Sequence, residues 1–166
     1  MRVRDATVED CEPLARAGKV VADEGRWLVM ESDTSVAELA GRFRRAIEDE
    51  GHLLFVLEDG SEPVGALGMH ATRAKGVLSL GMWILPQWRG HGGGRQLLRA
   101  ALEARPAYVH KLELEVFPDN AAAIDLYRSM GFEEEGLRRN HYRRLDGSLR
   151  SALLMARLFE TEDSGD

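Results

Sequence analysis

Apolar residues at 36, 39, 40, 43 and 47 fall on one face at helical spacing, so Val36, Leu39, Ala40, Phe43 and Ile47 predict an amphipathic helix over residues 36–47. Asp33 or Ser35 stands where such a helix starts. An earlier helix is predicted over residues 11–21, behind Thr7 and Asp10 at capping-box spacing. Residues 25–33, between the two, show no period. Strand patterns occupy residues 3–6, 53–57, 64–70 and 77–85, and Asp59-Gly60 marks a hairpin between the second and third. A third helix over residues 92–104 places Leu97, Leu98, Ala101 and Leu102 together. Strands over 111–117, 136–145 and 148–159 complete the set, with a second tight turn at Asp146-Gly147. The order of elements predicts an α/β fold of the α+β type: a central, mostly antiparallel mixed sheet flanked by helices. One domain is expected over residues 1–159, with 160–166 as a disordered acidic tail.

Composition narrows what such a fold can do. With 166 residues, 44% hydrophobic and 30% charged, the chain can bury one sizeable core. A net charge of −6 argues against nucleic acid as the main partner. Cys11 is the only cysteine, which excludes an internal disulfide and a cysteine-based zinc site and makes a reducing, cytoplasmic setting the expected one. The five histidines lack close ligand spacing, so no metal is expected. No stretch approaches the roughly 20 apolar residues of a membrane span, and residues 1–5 do not resemble a signal peptide.

The chemistry is concentrated in Pro86-Gln87-Trp88-Arg89-Gly90-His91-Gly92-Gly93-Gly94-Arg95, which links an apolar strand to a helix. Glycines there let the chain turn and aim unpaired N–H groups of a helix start at an anion. Arg95 and Gln96 follow Gly94, so the Lys-Ser/Thr of a nucleotide-triphosphate loop is absent, and the third glycine of a dinucleotide loop is missing in either register. The Arg-x-x-Gly-x-Gly pattern of Arg89, Gly92 and Gly94 instead resembles the pyrophosphate loop of GNAT N-acetyltransferases. Residues 114–132, Leu-Glu-Val-Phe-Pro-Asp-Asn-Ala-Ala-Ala-Ile-Asp-Leu-Tyr-Arg-Ser-Met-Gly-Phe, resemble the second motif of that superfamily, with Asp119 or Asn120 capping a helix and Gly131 just past its end.

The resemblance implies two adjacent strands, ending near Leu85 and Phe117, that splay apart to admit acetyl-coenzyme A. It places the backbone of residues 82–85, including Ile84 and Leu85, against the pantetheine arm. The N–H groups of Arg89, Gly90, His91, Gly92, Gly93 and Gly94, with Arg95 nearby, would hold the pyrophosphate. Asn120 would touch the pantetheine and Tyr127 would lie near the sulfur as general acid. The reaction implied is direct attack of an amine on the thioester through a tetrahedral intermediate.

The strand over 77–84 lacks the glutamate that many members of the superfamily carry there. Glu31, Glu115 and His70 are the alternatives for the base, with Glu31 preferred, and water-mediated deprotonation needs none of them. The run Arg138-Arg139-Asn140-His141-Tyr142-Arg143-Arg144, with Arg150, reads either as a solvated strand face or as a carboxylate site. Trp27, Trp83 and Trp88 either line an acceptor pocket or pack. The acceptor expected is a small amino acid-like primary amine. The alternatives are a protein amino terminus or lysine, as for ribosomal-protein acetyltransferases, and a non-catalytic acyl-coenzyme A sensor. A homodimer is among the arrangements the resemblance allows.

Overall fold

Every alternating segment enters one sheet. The computed structural model describes residues 1–29, 32–49 and 51–160. Among them the strands are β1 (Arg2–Asp5), β2 (His52–Asp59), β3 (Glu62–Ala71), β4 (Val77–Ile84), β5 (Lys111–Val116), β6 (Glu133–Arg143) and β7 (Leu149–Leu158). The helices are α1 (Cys11–Asp23), α2 (Val36–Glu48), α3 (Gly93–Ala104) and α4 (Ala121–Ser129). The sheet order is β1-β2-β3-β4-β5-β7-β6, antiparallel except where β4 and β5 run parallel. The chain thus returns through β7, between β5 and β6, a neighbour order that periodicity does not encode.

Strand alternation sorts side chains between two layers. Phe55, Leu57, Leu67, Met69, Leu78, Leu80, Leu112 and Leu114 pack with Leu97, Leu98 and Ala101 of α3 and Ile124 and Tyr127 of α4. On the other face Val56, Ala66 and Trp83 pack with Leu14 of α1 and Phe43 of α2. Trp83 lies flat enough on α1 that a Cβ at Gly18 would stand 3.5 Å from its ring. Trp83, partly buried, thus packs against α1.

The feature that creates a site is the short contact between β4 and β5. Their register runs only from Val77↔Lys111 to Ser79↔Glu113, after which β4 continues to Ile84 and β5 to Val116 without pairing to each other. The predicted splay is therefore present. No helix among the described residues is long and apolar enough to cross a membrane.

The first strand is fastened by charge. Arg4 donates to Asp10 at 2.7 and 2.8 Å and to Glu58 at 2.8 Å, while the Asp10 carboxylate also accepts the Thr7 N–H at 2.7 Å. The Arg4 guanidinium, outweighing partial desolvation, holds the Asp10 carboxyl down to about 2. A carboxyl depressed in the folded state stabilises above its unfolded value of 3.8, and that contribution is lost as pH falls through about 2. After allowance for solvent screening it amounts to about 1 to 2 kcal/mol. Urea unfolding of Asp10→Asn and the parent chain should show the parent more stable near neutrality, with the gap closing below about pH 4. A gap independent of pH would remove the ion pair from the account.

Candidate active site

The open edge of β4 meets the start of α3 beside the splay. Val77 O accepts from Thr72 and Leu85 N–H donates to Val64 O, so the odd-numbered backbone groups of β4 face β3. By alternation, Leu80, Met82 and Ile84 turn their N–H and C=O groups toward the splay, beyond the last residue paired to β5. Ile84 is therefore on the open edge, whereas Leu85 spends its N–H on β3.

The glycines of the following loop serve two different purposes. Gly90 (φ +78°) and Gly92 (φ +82°) adopt left-handed backbone, and an added Cβ at either would stand in open space. At Gly93 a Cβ would lie 2.5 Å from Leu57 Cδ2, and at Gly94 it would lie 2.7 Å from Leu126 Cδ2. The first pair shapes the loop; the second lets α3 press onto the sheet and α4. Gln96 N–H is bonded to Gly92 O, so the N–H groups of Gly92, Gly93, Gly94 and Arg95 precede the helical ladder. They form the positive end of α3. His91 lies beside Trp88, ring centroids 6.5 Å apart. The Arg95 guanidinium reaches Ser129 Oγ at 2.9 Å, tying the first turn of α3 to the last of α4.

Arg89, the first residue of the pattern, is already engaged. Its Nε donates to Ile84 O at 3.0 Å, its Nη1 to Glu24 Oε1 at 2.9 Å, and its N–H to Pro86 O. Its guanidinium braces the loop rather than facing out of it.

Helix α4 starts at Asn120, whose side-chain oxygen accepts from Ala123 N–H at 3.3 Å. The helix ends at Gly131 (φ +84°), where Phe132 N–H reaches back to Tyr127 O at 3.1 Å. Phe132 then packs edge-on to the Tyr127 ring at 5.8 Å. Burial raises the Tyr127 phenol above its ordinary value, so it remains a neutral donor throughout the physiological range.

The opposite face of the splay carries Glu115. It lies on β5 two residues beyond Glu113, the last residue paired to β4, and shares Glu113's face by strand alternation. Arg138 Nη1 and the Tyr142 hydroxyl each donate to one of its carboxylate oxygens. Burial, followed by the Glu115 contact, pushes the Tyr142 phenol up to about 12. The Arg138/Tyr142 pair around Glu115 escaped the sequence reading; the only signal was an aromatic residue within a basic run. His70, paired with Ser79, sits at the closed end of the splay and stacks on His52 at 5.7 Å. Glu31 lies outside the described residues, as do positions 161–166 of the expected tail.

Much of the basic run is spent inside the molecule. Arg144 donates to the carbonyls of Leu28 at 3.0 Å, Val29 at 3.2 Å and Gly25 at 3.3 Å. Arg150 donates to Arg26 O at 2.7 Å, pairs with Asp119 and lies 4.0 Å from the Phe117 ring centroid. These arginines fix the aperiodic segment that follows α1. Trp27 is covered by the Arg26 guanidinium at 4.2 Å, and Trp88 packs against the main core. No cluster of three potential metal ligands occurs among the described residues.

Known proteins share this fold. The chain is 52% identical over 59 residues to N-alpha-acetyltransferase RimI of Mycobacterium tuberculosis, a match spanning 35% of each chain. The structure of a ribosomal-protein-alanine N-acetyltransferase from Brucella melitensis superposes with a TM-score of 0.85 at 25% identity, covering 96% of this chain and 100% of that one. The acetyl-coenzyme A complex of a GNAT superfamily phosphinothricin acetyltransferase from Sinorhizobium meliloti superposes with a TM-score of 0.84 at 21% identity, covering 99% and 91%. A model described as the acetyltransferase (GNAT) family matches residues 20–132, and by that match the chain belongs to the GNAT acetyltransferase family.

Proposed function

We propose that this chain is an acetyl-coenzyme A-dependent N-acetyltransferase whose acceptor is the amino terminus of a protein, of the ribosomal-protein-alanine type. The observation that carries the choice of acceptor is the local 52% identity to a protein named as an N-alpha-acetyltransferase, joined to the full-length likeness to a ribosomal-protein-alanine enzyme. Those relatives favour the protein acceptor over the small amino acid-like amine expected from the sequence.

The residues present fit the donor. Open space over Gly90 and Gly92, beside the N–H groups that precede the α3 ladder, suits a pyrophosphate. The open β4 edge at Met82 and the Ile84 N–H, with the Ile84 carbonyl already held by Arg89, suits the amide-bearing pantetheine arm as a strand-like addition. When bound, the donor supplies an acetyl thioester. Glu115 already accepts two hydrogen bonds, yet a carboxylate has room for a third donor. That donor would be the acceptor ammonium, whose proton passes to Glu115 directly or through one water. The neutral amine attacks the thioester carbonyl, forming the C–N bond of a tetrahedral intermediate. The C–S bond breaks as it collapses, and Tyr127 protonates the departing sulfur. The second proton shed by the nitrogen then restores the Tyr127 phenol. Arg138 and Tyr142 hold Glu115 in place while it takes the proton.

Coenzyme A release should be measured with peptides bearing an N-terminal alanine, the same peptides blocked at the amino terminus, and free amino acids. The unblocked peptides should exceed free amino acids in kcat/KM by at least about tenfold, and blocking should abolish turnover. The reverse ranking would restore a small-molecule acceptor.

A further inference from the structure

We propose that the Glu24–Arg89 ion pair is a strut that couples the donor loop to the acceptor-side loop, making coenzyme A and acceptor binding mutually reinforcing. The inference rests on the reading that the loop after β4 holds the donor, and it assigns to Arg89 a positioning role instead of anion contact.

Each member of the pair stands at the root of one loop. Glu24 caps the C-terminus of α1 and is followed by Gly25 at φ +60°; Arg89 ends the 3-10 turn Pro86–Trp88 and is followed by Gly90 at φ +78°. The two residues are 65 positions apart, and both are partly shielded, with side-chain exposures of 34% for Arg89 and 27% for Glu24. A planar guanidinium that grips a carboxylate with both terminal nitrogens and a strand carbonyl with Nε has little rotational freedom left. Lysine could not reproduce that fork.

Through Arg150, which joins Arg26 O to Asp119 and Phe117 just beyond Glu115, residues 25–29 are tied to the Glu115 end of the splay, the acceptor side in the functional reading above. This far side is fastened separately. Arg144 holds the carbonyls of Gly25, Leu28 and Val29, and Arg150 holds that of Arg26. Arg150 in turn lies over Phe117, at the end of β5. Residues 25–29 are thus bracketed between the donor loop and the β6–β7 hairpin. A ligand that orders Gly90 to Gly94 narrows the positions of Arg89, and through the carboxylate it narrows those of Glu24 and the segment behind it. Linkage makes the effect reciprocal.

The test uses coenzyme A as the probe on the full chain, with Glu24→Ala, Arg89→Met and the double variant. In the parent, coenzyme A should slow amide exchange across residues 25–29 and tighten binding of an N-terminal-alanine peptide by about fivefold. In Glu24→Ala the peptide KM should rise by about fivefold with kcat within about twofold, and the tightening should disappear. The double variant should be no worse than the more severe single one. Exchange protection of 25–29 that survives in Glu24→Ala, or single effects that add, would overturn the strut while leaving the donor site intact. Failure of the parent chain to bind coenzyme A would overturn the functional reading and the strut together. Thermal unfolding of each variant separates both results from a misfolded chain.

Discussion

Tyr127→Phe is expected to lower kcat by about a hundredfold while coenzyme A affinity changes by no more than about twofold. The ring is buried at 6% exposure between the sheet and Phe132, and phenylalanine fills that space without the hydroxyl. Burial raises the phenol above its ordinary value, which keeps the proton on the oxygen at neutral and mildly alkaline pH. A neutral phenol beside the sulfur can hydrogen-bond to the negative charge that develops there as the C–S bond breaks. The variant should therefore lose rate with every acceptor alike, and its melting temperature should fall by only a few degrees. Steady-state kinetics with saturating acetyl-coenzyme A, set beside calorimetric binding of coenzyme A, separate the two quantities. Unchanged turnover would leave Tyr127 as packing for Phe132 and the end of α4.

What the chain discloses in advance is governed by range. Alternation over residues 77–85 and helical spacing over 92–104 are local properties, and both elements appear within a residue of the expected ends. The Gly131 cap is equally local, because only a residue tolerant of left-handed backbone fits there. The arginines behave differently. Arg144 and the Leu28 carbonyl are 116 positions apart, and Arg138 reaches Glu115 across β7, which lies between their strands. Nothing in a basic run announces which of its members will be spent on carbonyls. The proposed base was obscured for the same reason: Glu115 gains its place from the point where β4 and β5 part company, and that point is a property of the sheet. In the glycine run the residue type was legible, but the reasons were not. Leu57 and Leu126, which exclude side chains at Gly93 and Gly94, come from a strand before the loop and a helix after it.

That division of labour among the glycines yields the second large effect, in which neighbouring substitutions fail in different ways. Gly92→Val should weaken coenzyme A binding by about a hundredfold while the rest of the fold persists. An added Cβ meets no protein atom within 4 Å, so the expected damage is left-handed strain of about 1 to 2 kcal/mol at a β-branched residue, together with bulk standing over the N–H groups that precede the α3 ladder. Losing one or two charge-assisted hydrogen bonds, each worth about 1.5 to 3 kcal/mol, accounts for a hundredfold. Gly93→Val presents the opposite balance. Its Cβ would lie 2.5 Å from Leu57 Cδ2 and 3.4 Å from Ile84 Cδ1, inside the core, so overpacking of about 1 to 3 kcal/mol should lower the melting temperature first. Calorimetric titration with coenzyme A and thermal unfolding, run on both variants, give a crossed pattern: affinity lost with modest destabilisation at 92, stability lost at 93. Equal loss of both quantities in both variants would make the run a single rigid turn. Full retention of affinity in Gly92→Val would move the anion away from the start of α3, and the donor site with it.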